Sequence, residues 1–159
     1  MNLIKSYYLL CKPNVVYMML ICAFVGMLLA EDSVSSFSKI CIALFGIALC
    51  SGSAAAINQV IDRKADAAMT RTDQRPLPQG ELSAFHASCF AFVIGVLGAL
   101  ILYFFVNTLT MVLTLASLIG YAFIYTVYLK RATPQNIVIG GLAGAAPPLL
   151  GWASISNSI

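Results

Sequence analysis

The chain has 159 residues, of which 60% are hydrophobic and only 9% are charged. Soluble globular domains carry roughly a quarter of charged residues, so this composition excludes an ordinary soluble domain and indicates an integral membrane protein. The formal net charge of +3 is small, and we expect a lipid bilayer, not a nucleic acid, around this chain. Five cysteines lie in or beside apolar runs without C-x-x-C spacing, which predicts buried apolar side chains and no metal ligands.

Five apolar runs in succession predict membrane-spanning helices over residues 13–30, 39–61, 84–106, 109–129 and 135–153. Each run is close to the roughly 20 residues that a helix needs to cross a bilayer. Pro13 suits the first turn of the first helix, whereas Pro147 and Pro148 should interrupt the fifth. We therefore predict an all-α, multi-pass transmembrane helical bundle, with residues 1–159 in a single domain.

The basic residues predict the orientation in the membrane, because cytoplasmic loops carry an excess of lysine and arginine. With five spans, eight of the nine basic residues fall on one side and only Lys39 falls on the other. This distribution predicts that the N-terminus, the loop over residues 62–83 and the loop around Lys130 lie in the cytoplasm. The eight residues are Lys5, Lys12, Arg63, Lys64, Arg71, Arg75, Lys130 and Arg131.

Three oxygen-bearing side chains mark the cytoplasmic end of the second predicted span. Asn58, Asp62 and Asp66 are spaced four residues apart. Each such step turns a helix by about 400°, so all three side chains share one face. Mg²⁺ takes one or two carboxylates and completes its coordination with water and substrate phosphates. The row of Asn58, Asp62 and Asp66 therefore predicts a magnesium site.

Basic side chains next to this row favour an anion beside the metal. Lys64 lies within the row, and Arg71 and Arg75 follow it; acids that hold a cation and bases that hold an anion predict a metal–diphosphate site. A solvated, salt-bridged helix end would explain the same residues, but polar groups at a membrane helix end are costly unless they face a cavity or a partner. Asp73 lies off the helical row, and pairing with Arg71 or Arg75 would explain it.

Several features of the apolar runs have two interpretations. Small residues crowd the second predicted span, and they allow either close helix packing or room for a ligand. Tyr121, Tyr125 and Tyr128 share one face of the fourth span, where they suit either an interfacial aromatic belt or the shielding of an allylic cation. His86 is the only histidine, and it is either a plain interfacial residue or a heme ligand or base.

Four stretches of the sequence resemble the UbiA-type intramembrane prenyltransferases, and together the resemblance covers essentially the whole chain. They are the N-x-x-x-D-x-x-x-D row from Asn58, K-P-N-V-V from Lys12, R-T-x-x-R-P-L-P from Arg71, and the run from Tyr125 to Trp152. The last run is the most specific, and it is similar to the branch of the family that uses protoheme as the acceptor.

This resemblance implies transfer of the farnesyl group of farnesyl diphosphate to a vinyl group of protoheme IX, giving heme o for terminal oxidases. It implies an enzyme of the bacterial inner membrane in which Asn58, Asp62 and Asp66 are the catalytic residues and the Mg²⁺ ligands. The substrate-binding residues that we expect are Lys64, Arg71, Arg75, Lys130, Arg131, Tyr125 and His86. For Lys130 and Arg131, positive-inside topology alone is an equally good explanation.

The sequence also departs from the family pattern. The family fold has nine helices and a second aspartate-rich loop in its C-terminal half, whereas this sequence contains only the first row. We therefore expect about five of the nine helices, and either self-association or a partner that supplies the missing half. Two other functions remain open: a prenyltransferase with another aromatic acceptor, such as a quinone-ring precursor, or a non-catalytic membrane protein.

Overall fold

Every regular element in the part of the chain that the structure describes is an α-helix. The computed structural model describes residues 3–30, 37–122, 126 and 136–159. The helices there are α1 Leu3–Leu10, α2 Pro13–Leu29, α3 Phe37–Ala67, α4 Ala84–Phe105, α5 Thr108–Ile119 and α6 Asn136–Ser156. No strand occurs in these ranges, which confirms the prediction of an all-α fold.

The fourth predicted span is only partly described. α5 ends at Ile119, and wider helical turns continue the apolar helix to Ala122. Residues 123–125 and 127–135 lie outside the described ranges. The C-terminal part of the range 109–129 therefore carries no structural statement.

The longest helices have the dimensions of membrane spans. Among the described residues, α3 and α4 are long and apolar enough to cross a bilayer, and α1 with α2 make a third span if the pair, bent by 47°, counts as one. Large apolar side chains of α4 point away from the protein: Phe85 is 73% exposed and Phe92 is 72% exposed. Such a surface suits contact with lipid, so the chain is an integral membrane protein.

The helix that carries the row continues beyond the predicted span 39–61. α3 ends at Ala67, as the shared helical face of Asn58, Asp62 and Asp66 requires. The predicted start of the loop at Asp62 is therefore wrong, and the connecting loop covers residues 68–83. No glycine or proline interrupts the chain between Asn58 and Ala67. The Thr72 hydroxyl also donates to the Asp66 carbonyl at 3.0 Å, which satisfies one of the carbonyls that a helix end leaves open. At 1.5 Å per residue α3 is about 46 Å long, so it extends beyond a hydrocarbon core of about 30 Å.

Small side chains bring α3 and α4 into close contact. A Cβ atom at Gly98 would lie 2.9 Å from the Gly46 carbonyl oxygen and 2.7 Å from the Cys50 sulfur. The Ser53 hydroxyl donates to the Ala91 carbonyl at 2.7 Å. One face of the small-residue stretch in α3 therefore serves close helix packing.

A second contact of backbone against backbone joins α2 and α6. A Cβ atom at Gly26 would overlap the Pro148 carbonyl oxygen, and one at Gly151 would overlap the Ala23 carbonyl oxygen. α6 runs from Asn136 to Ser156 through both prolines, so the predicted interruption at Pro147 and Pro148 is wrong. Tight packing against α2 offsets the hydrogen bonds that the prolines remove from the helix.

The loop over residues 68–83 is anchored on both sides. Ser6 of α1 donates to the Glu81 carboxylate at 2.7 Å. At the other end, the Ser83 hydroxyl accepts from the His86 backbone N–H at 3.2 Å and caps α4. Two leucines of the loop are also buried in an apolar cluster with residues of α1, α3 and α4. The loop is therefore held against the end of α3.

Candidate functional site

The predicted row is assembled on one buried face of α3. Asn58 is 4% exposed, and Asp62 and Asp66 are each 5% exposed. The Asn58 amide nitrogen donates to the Asp62 carboxylate at 3.1 Å. Charged groups buried to this extent require cations or hydrogen-bond donors nearby, because an isolated buried charge is very costly. The row is therefore not a solvated helix end.

Arg75 of the loop supplies one cation to the row. Its Nη1 lies 2.5 Å from Oδ2 of Asp66. Arg75 thus pairs with Asp66, and the alternative in which it pairs with Asp73 is wrong, because the more deeply buried carboxylate has the greater need of a cation. Asp73 Oδ1 is buried without a hydrogen-bond partner in the described ranges.

Lys12 supplies a second cation, although from the sequence it is only an orientation residue and the start of the K-P-N-V-V stretch. Its Nζ donates to Asn58 Oδ1. Lys12 adopts the left-handed conformation, with φ 50° and ψ 60°, at the bend between α1 and α2. Gln59 holds this bend against α3, because its Nε2 donates to the Leu9 carbonyl at 3.2 Å and to the Leu10 carbonyl at 2.9 Å. The K-P-N-V-V stretch was the one sequence feature that pointed to Lys12.

Thr126 is another partner of the row that sequence reasoning missed. The Asn58 amide nitrogen donates to Thr126 Oγ1 at 3.1 Å, and Thr126 Oγ1 donates to the Tyr121 carbonyl at 2.8 Å. The Thr126 side chain is fully buried. These contacts fix the orientation of the Asn58 amide, with its oxygen toward Lys12 and its nitrogen toward Asp62 and Thr126.

An apolar cavity of about 210 Å³ adjoins the row. Its walls come from α2, α3, α5 and α6, and Ser51, Ala54 and Ala55 form part of the α3 wall. Lys12 lies at the cavity boundary and also bonds Asn58, so the charged row and the apolar cavity meet at this lysine. The small residues of α3 thus serve both uses that the sequence left open, close packing toward α4 and free space toward the cavity.

Of the three tyrosines predicted on one helical face, Tyr121 lines this cavity. Tyr125 and Tyr128 lie outside the described residues. The structure therefore brings one of the three tyrosines to the cavity and makes no statement about the other two.

Several predicted substrate-binding residues are not brought to the row. Lys64 is exposed, and two positions after Asp62 it lies about 200° around the helix axis. Arg71 is exposed on the loop. His86 is exposed, and its Nδ1 lies 2.8 Å from the Ser83 hydroxyl, so it belongs to the start of α4. Two more predicted residues, Lys130 and Arg131, lie outside the described ranges.

The oxygen atoms of the row fit a magnesium ion that arrives with phosphate groups. In the described ranges no group of three or more His, Cys, Asp or Glu side chains is arranged to hold a metal. Two carboxylates and one amide oxygen on one face are the protein share that Mg²⁺ usually takes, with water and phosphates completing its coordination. Binding of Mg²⁺ by Asn58, Asp62 and Asp66 stays a prediction.

Comparison with known proteins identifies close relatives. Residues 19–159 match the UbiA prenyltransferase family. The chain is 56% identical over 155 residues to the protein of Hahella chejuensis named protoheme IX farnesyltransferase, and 57% identical over 155 residues to protoheme IX farnesyltransferase 2 of Pseudoalteromonas atlantica. These alignments cover 98% of this chain but 52% and 51% of the two relatives. The chain therefore spans about half the length of the curated relatives it matches.

A solved structure shares the fold. It comes from work on digeranylgeranylglyceryl phosphate synthase in membranes, and it matches this chain with a TM-score of 0.81 at 22% sequence identity. The match covers 95% of this chain and 53% of that chain. At this identity the likeness concerns the fold alone, and it agrees with a partial helical bundle.

Proposed function

Since this chain belongs to the UbiA prenyltransferase family, we propose that it binds farnesyl diphosphate and transfers the farnesyl group to a vinyl group of protoheme IX, giving heme o. The acceptor is inferred from relatives named protoheme IX farnesyltransferase, which are 56% and 57% identical. The chain covers about half of their length, so the activity and both substrates are proposals for the site that these residues form.

The observation that carries the proposal is the junction of the row and the cavity at Lys12. A prenyl diphosphate has a highly charged head and a long apolar tail, so it needs both environments side by side. The head would lie at Asp62 and Asp66, where Lys12 and Arg75 provide positive charge. The tail would lie in the cavity, whose walls are mostly apolar.

At the head, the residues of the row would hold Mg²⁺, which when bound neutralises charge on the leaving diphosphate. Lys12 and Arg75 would donate hydrogen bonds to phosphate oxygens, and such charge-assisted bonds are about twice as strong as neutral ones. We propose that Arg71, Lys130 and Arg131 add positive charge at the same end. Lys64 and His86 have no role in this proposal, because both are exposed and neither lines the cavity.

In the cavity, the allylic C–O bond would break and both of its electrons would leave with the diphosphate. The vinyl π electrons of the acceptor would then form the new C–C bond and leave positive charge on the second vinyl carbon. Addition of water at that carbon and loss of a proton would discharge it and leave a hydroxyl group on the product. Tyr121 lies in the cavity wall, where its ring is suited to stabilise positive charge on the allylic carbons. We propose the same role for Tyr125. The apolar walls would keep water away from the allylic cation until the C–C bond has formed.

The proposed site opens to the cytoplasm of a bacterial cell, at the inner membrane. This orientation rests on the positive-inside rule, because with the five predicted spans eight of the nine basic residues fall on the side of the row. Diphosphate substrates and Mg²⁺ are available on that side.

The test is heme extraction from membranes of a host that lacks its own enzyme. The chain is expressed alone and, separately, together with the C-terminal half of a full-length relative, and heme o is sought by mass. We expect heme o in at least one of these strains and none when Asp62→Ala replaces the native chain. Detection of another prenylated aromatic compound in its place would support a different acceptor. Absence of any prenylated product in both strains, with the chain present in the membrane, would contradict the proposal.

A further inference from the structure

Cations from the chain itself contact the oxygen atoms that are expected to bind the metal. Lys12 Nζ donates to Asn58 Oδ1, and Arg75 Nη1 lies 2.5 Å from Asp66 Oδ2. The Asn58 oxygen is the atom of that side chain available to a metal, because the amide nitrogen acts as a donor. A metal ion and an ammonium group repel each other strongly at one oxygen. The two basic side chains therefore compete with a metal for the row.

The charges of these groups also balance. Two buried carboxylates, Asp62 and Asp66, face two basic side chains, Lys12 and Arg75. A diphosphate alone would bring more negative charge to buried carboxylates, and a divalent cation alone would meet the two bases. Electrostatic repulsion therefore weakens the binding of either the metal or the diphosphate alone. When both bind together, the metal neutralises the carboxylates and the diphosphate neutralises the basic side chains.

Both basic side chains start from non-helical backbone, so they can move without displacing a helix. Lys12 lies at the bend between α1 and α2, and Arg75 lies in the loop over residues 68–83. Gln59 clamps the backbone just before Lys12 through two carbonyls, which leaves the motion to the flexible four-carbon side chain. Lys12 also borders the cavity, so its side chain lies where the row and the cavity meet.

We propose that Lys12 and Arg75 exchange partners when a metal and a diphosphate bind together. They release the oxygens of Asn58 and Asp66 and donate to phosphate oxygens. This inference rests on the proposed function, because it requires a diphosphate beside the row. Its consequence is cooperative binding, in which metal and diphosphate each raise the affinity of the site for the other. Lys12 therefore opposes the metal alone and favours the diphosphate.

Lys12→Met tests these opposite effects, since it removes the ammonium and keeps an unbranched side chain. Binding of Mn²⁺ alone is measured by electron paramagnetic resonance on the full chain in nanodiscs of neutral lipid. Binding of inorganic diphosphate is measured by calorimetry with saturating Mg²⁺. We expect the affinity for Mn²⁺ alone to rise about tenfold and the affinity for diphosphate to fall about tenfold, the scale of one charge-assisted hydrogen bond.

Two controls separate the exchange from a general effect of charge. Lys64→Met removes the same charge from the exposed side of α3, and it should change either affinity by less than about twofold. Lys12→Arg keeps a cation at the bend and should retain the native weak binding of Mn²⁺. Circular dichroism and gel filtration confirm that each variant remains folded. Arg75→Gln tests the other exchanging residue in case Lys12→Met fails to fold, and it should give the same pair of opposite changes.

The proposal is overturned if the folded variants leave the affinity for Mn²⁺ alone unchanged or lower it. That outcome is distinct from failure of the proposed function. If the chain forms heme o but its Mn²⁺ affinity does not change in the Lys12 and Arg75 variants, the partner exchange is contradicted and the transferase function is supported. If the two affinities change in opposite directions but no prenyl group is transferred, the partner exchange is supported and the transferase function is contradicted.

Discussion

Two faces of α3 use small side chains for opposite purposes. Toward α4, Gly46 and Ser53 allow the helices to touch, and Gly98 of α4 leaves no room for a further carbon atom. Toward α2, α5 and α6, Ala54 and Ala55 border a cavity of about 210 Å³. Composition alone does not separate these outcomes, because both faces carry the same kinds of residue.

The two faces of α3 differ in the helices that pack against them. α4 has glycines opposite the small residues of α3, so these two helices are in close contact. α2 and α6 pack backbone against backbone where Gly26 meets Pro148 and Gly151 meets Ala23, and both helices contribute walls to the cavity. An interior is normally close-packed, so an apolar space next to buried carboxylates suits a ligand.

The largest expected effect lies at the polar end of α3. Asp62→Ala should weaken Mg²⁺-dependent binding of farnesyl diphosphate by about a hundredfold or more, since loss of even an outer-shell partner costs 10–100-fold. Calorimetry on the purified chain measures this change. Lys64→Ala, two residues away on the exposed side, is the matched control and should bind as the native chain does. Equal losses in both variants would show that the row has no special role.

Glycine substitutions test the close helix packing in this comparison. Gly151→Ala should lower the free energy of unfolding by about 1–3 kcal/mol, the usual cost of overpacking, because its Cβ would overlap the Ala23 carbonyl. Gly52→Ala places its Cβ at an ordinary 3.4 Å from the Cys11 sulfur and should be neutral or slightly stabilising. Unfolding in denaturing detergent compares the two variants. A stable Gly151→Ala protein would argue that the α2–α6 contact does not hold the cavity open.

The open side of the comparison is tested by filling the cavity. Ala54→Leu should lower the affinity for farnesyl diphosphate about tenfold, the scale of a core overpacking, because it occupies the space of the tail. Dimethylallyl diphosphate, with the same head and a five-carbon tail, serves as the internal control and should bind almost as before. Calorimetry gives both constants. A parallel loss for the short substrate would mean that the variant distorts the row.

The smallest expected effect comes from replacing the guanidinium group at position 75 with an ammonium group. Arg75→Lys should weaken diphosphate binding by about fivefold, because a point charge replaces a planar group with several donors. The affinity for inorganic diphosphate at saturating Mg²⁺ checks this value. Full affinity with lysine at position 75 would reduce Arg75 to a residue of membrane orientation.

Much of this arrangement can be predicted from residues that lie close together in the sequence. The helical spacing of Asn58, Asp62 and Asp66 indicates a shared face, and the apolar runs indicate an all-α membrane protein. Arg75 was found because it lies nine residues from Asp66, close enough along the chain for a loop to return it to the row. Contacts over short sequence distances are therefore predictable from pattern and charge.

The rest depends on tertiary contacts that a local pattern does not encode. Lys12 reaches Asn58 because its left-handed backbone and the Gln59 clamp redirect the chain, and neither is visible in composition. Thr126 reaches Asn58 from 68 positions away. The continuation of α6 through Pro147 and Pro148 likewise depends on packing against α2. Rules based on the local sequence predict an interruption of the helix at these prolines, because such rules do not include the packing of a neighbouring helix.

The central claim is that a charged row and an apolar cavity form one site for a prenyl diphosphate. Its most direct test compares the affinities of the native chain for farnesyl diphosphate, inorganic diphosphate and farnesol at saturating Mg²⁺. We predict that farnesyl diphosphate binds at least about tenfold more tightly than either fragment, because burial of each CH₂ group contributes about 0.8 kcal/mol. If farnesyl diphosphate binds no more tightly than inorganic diphosphate, the cavity does not hold the tail and the account is contradicted.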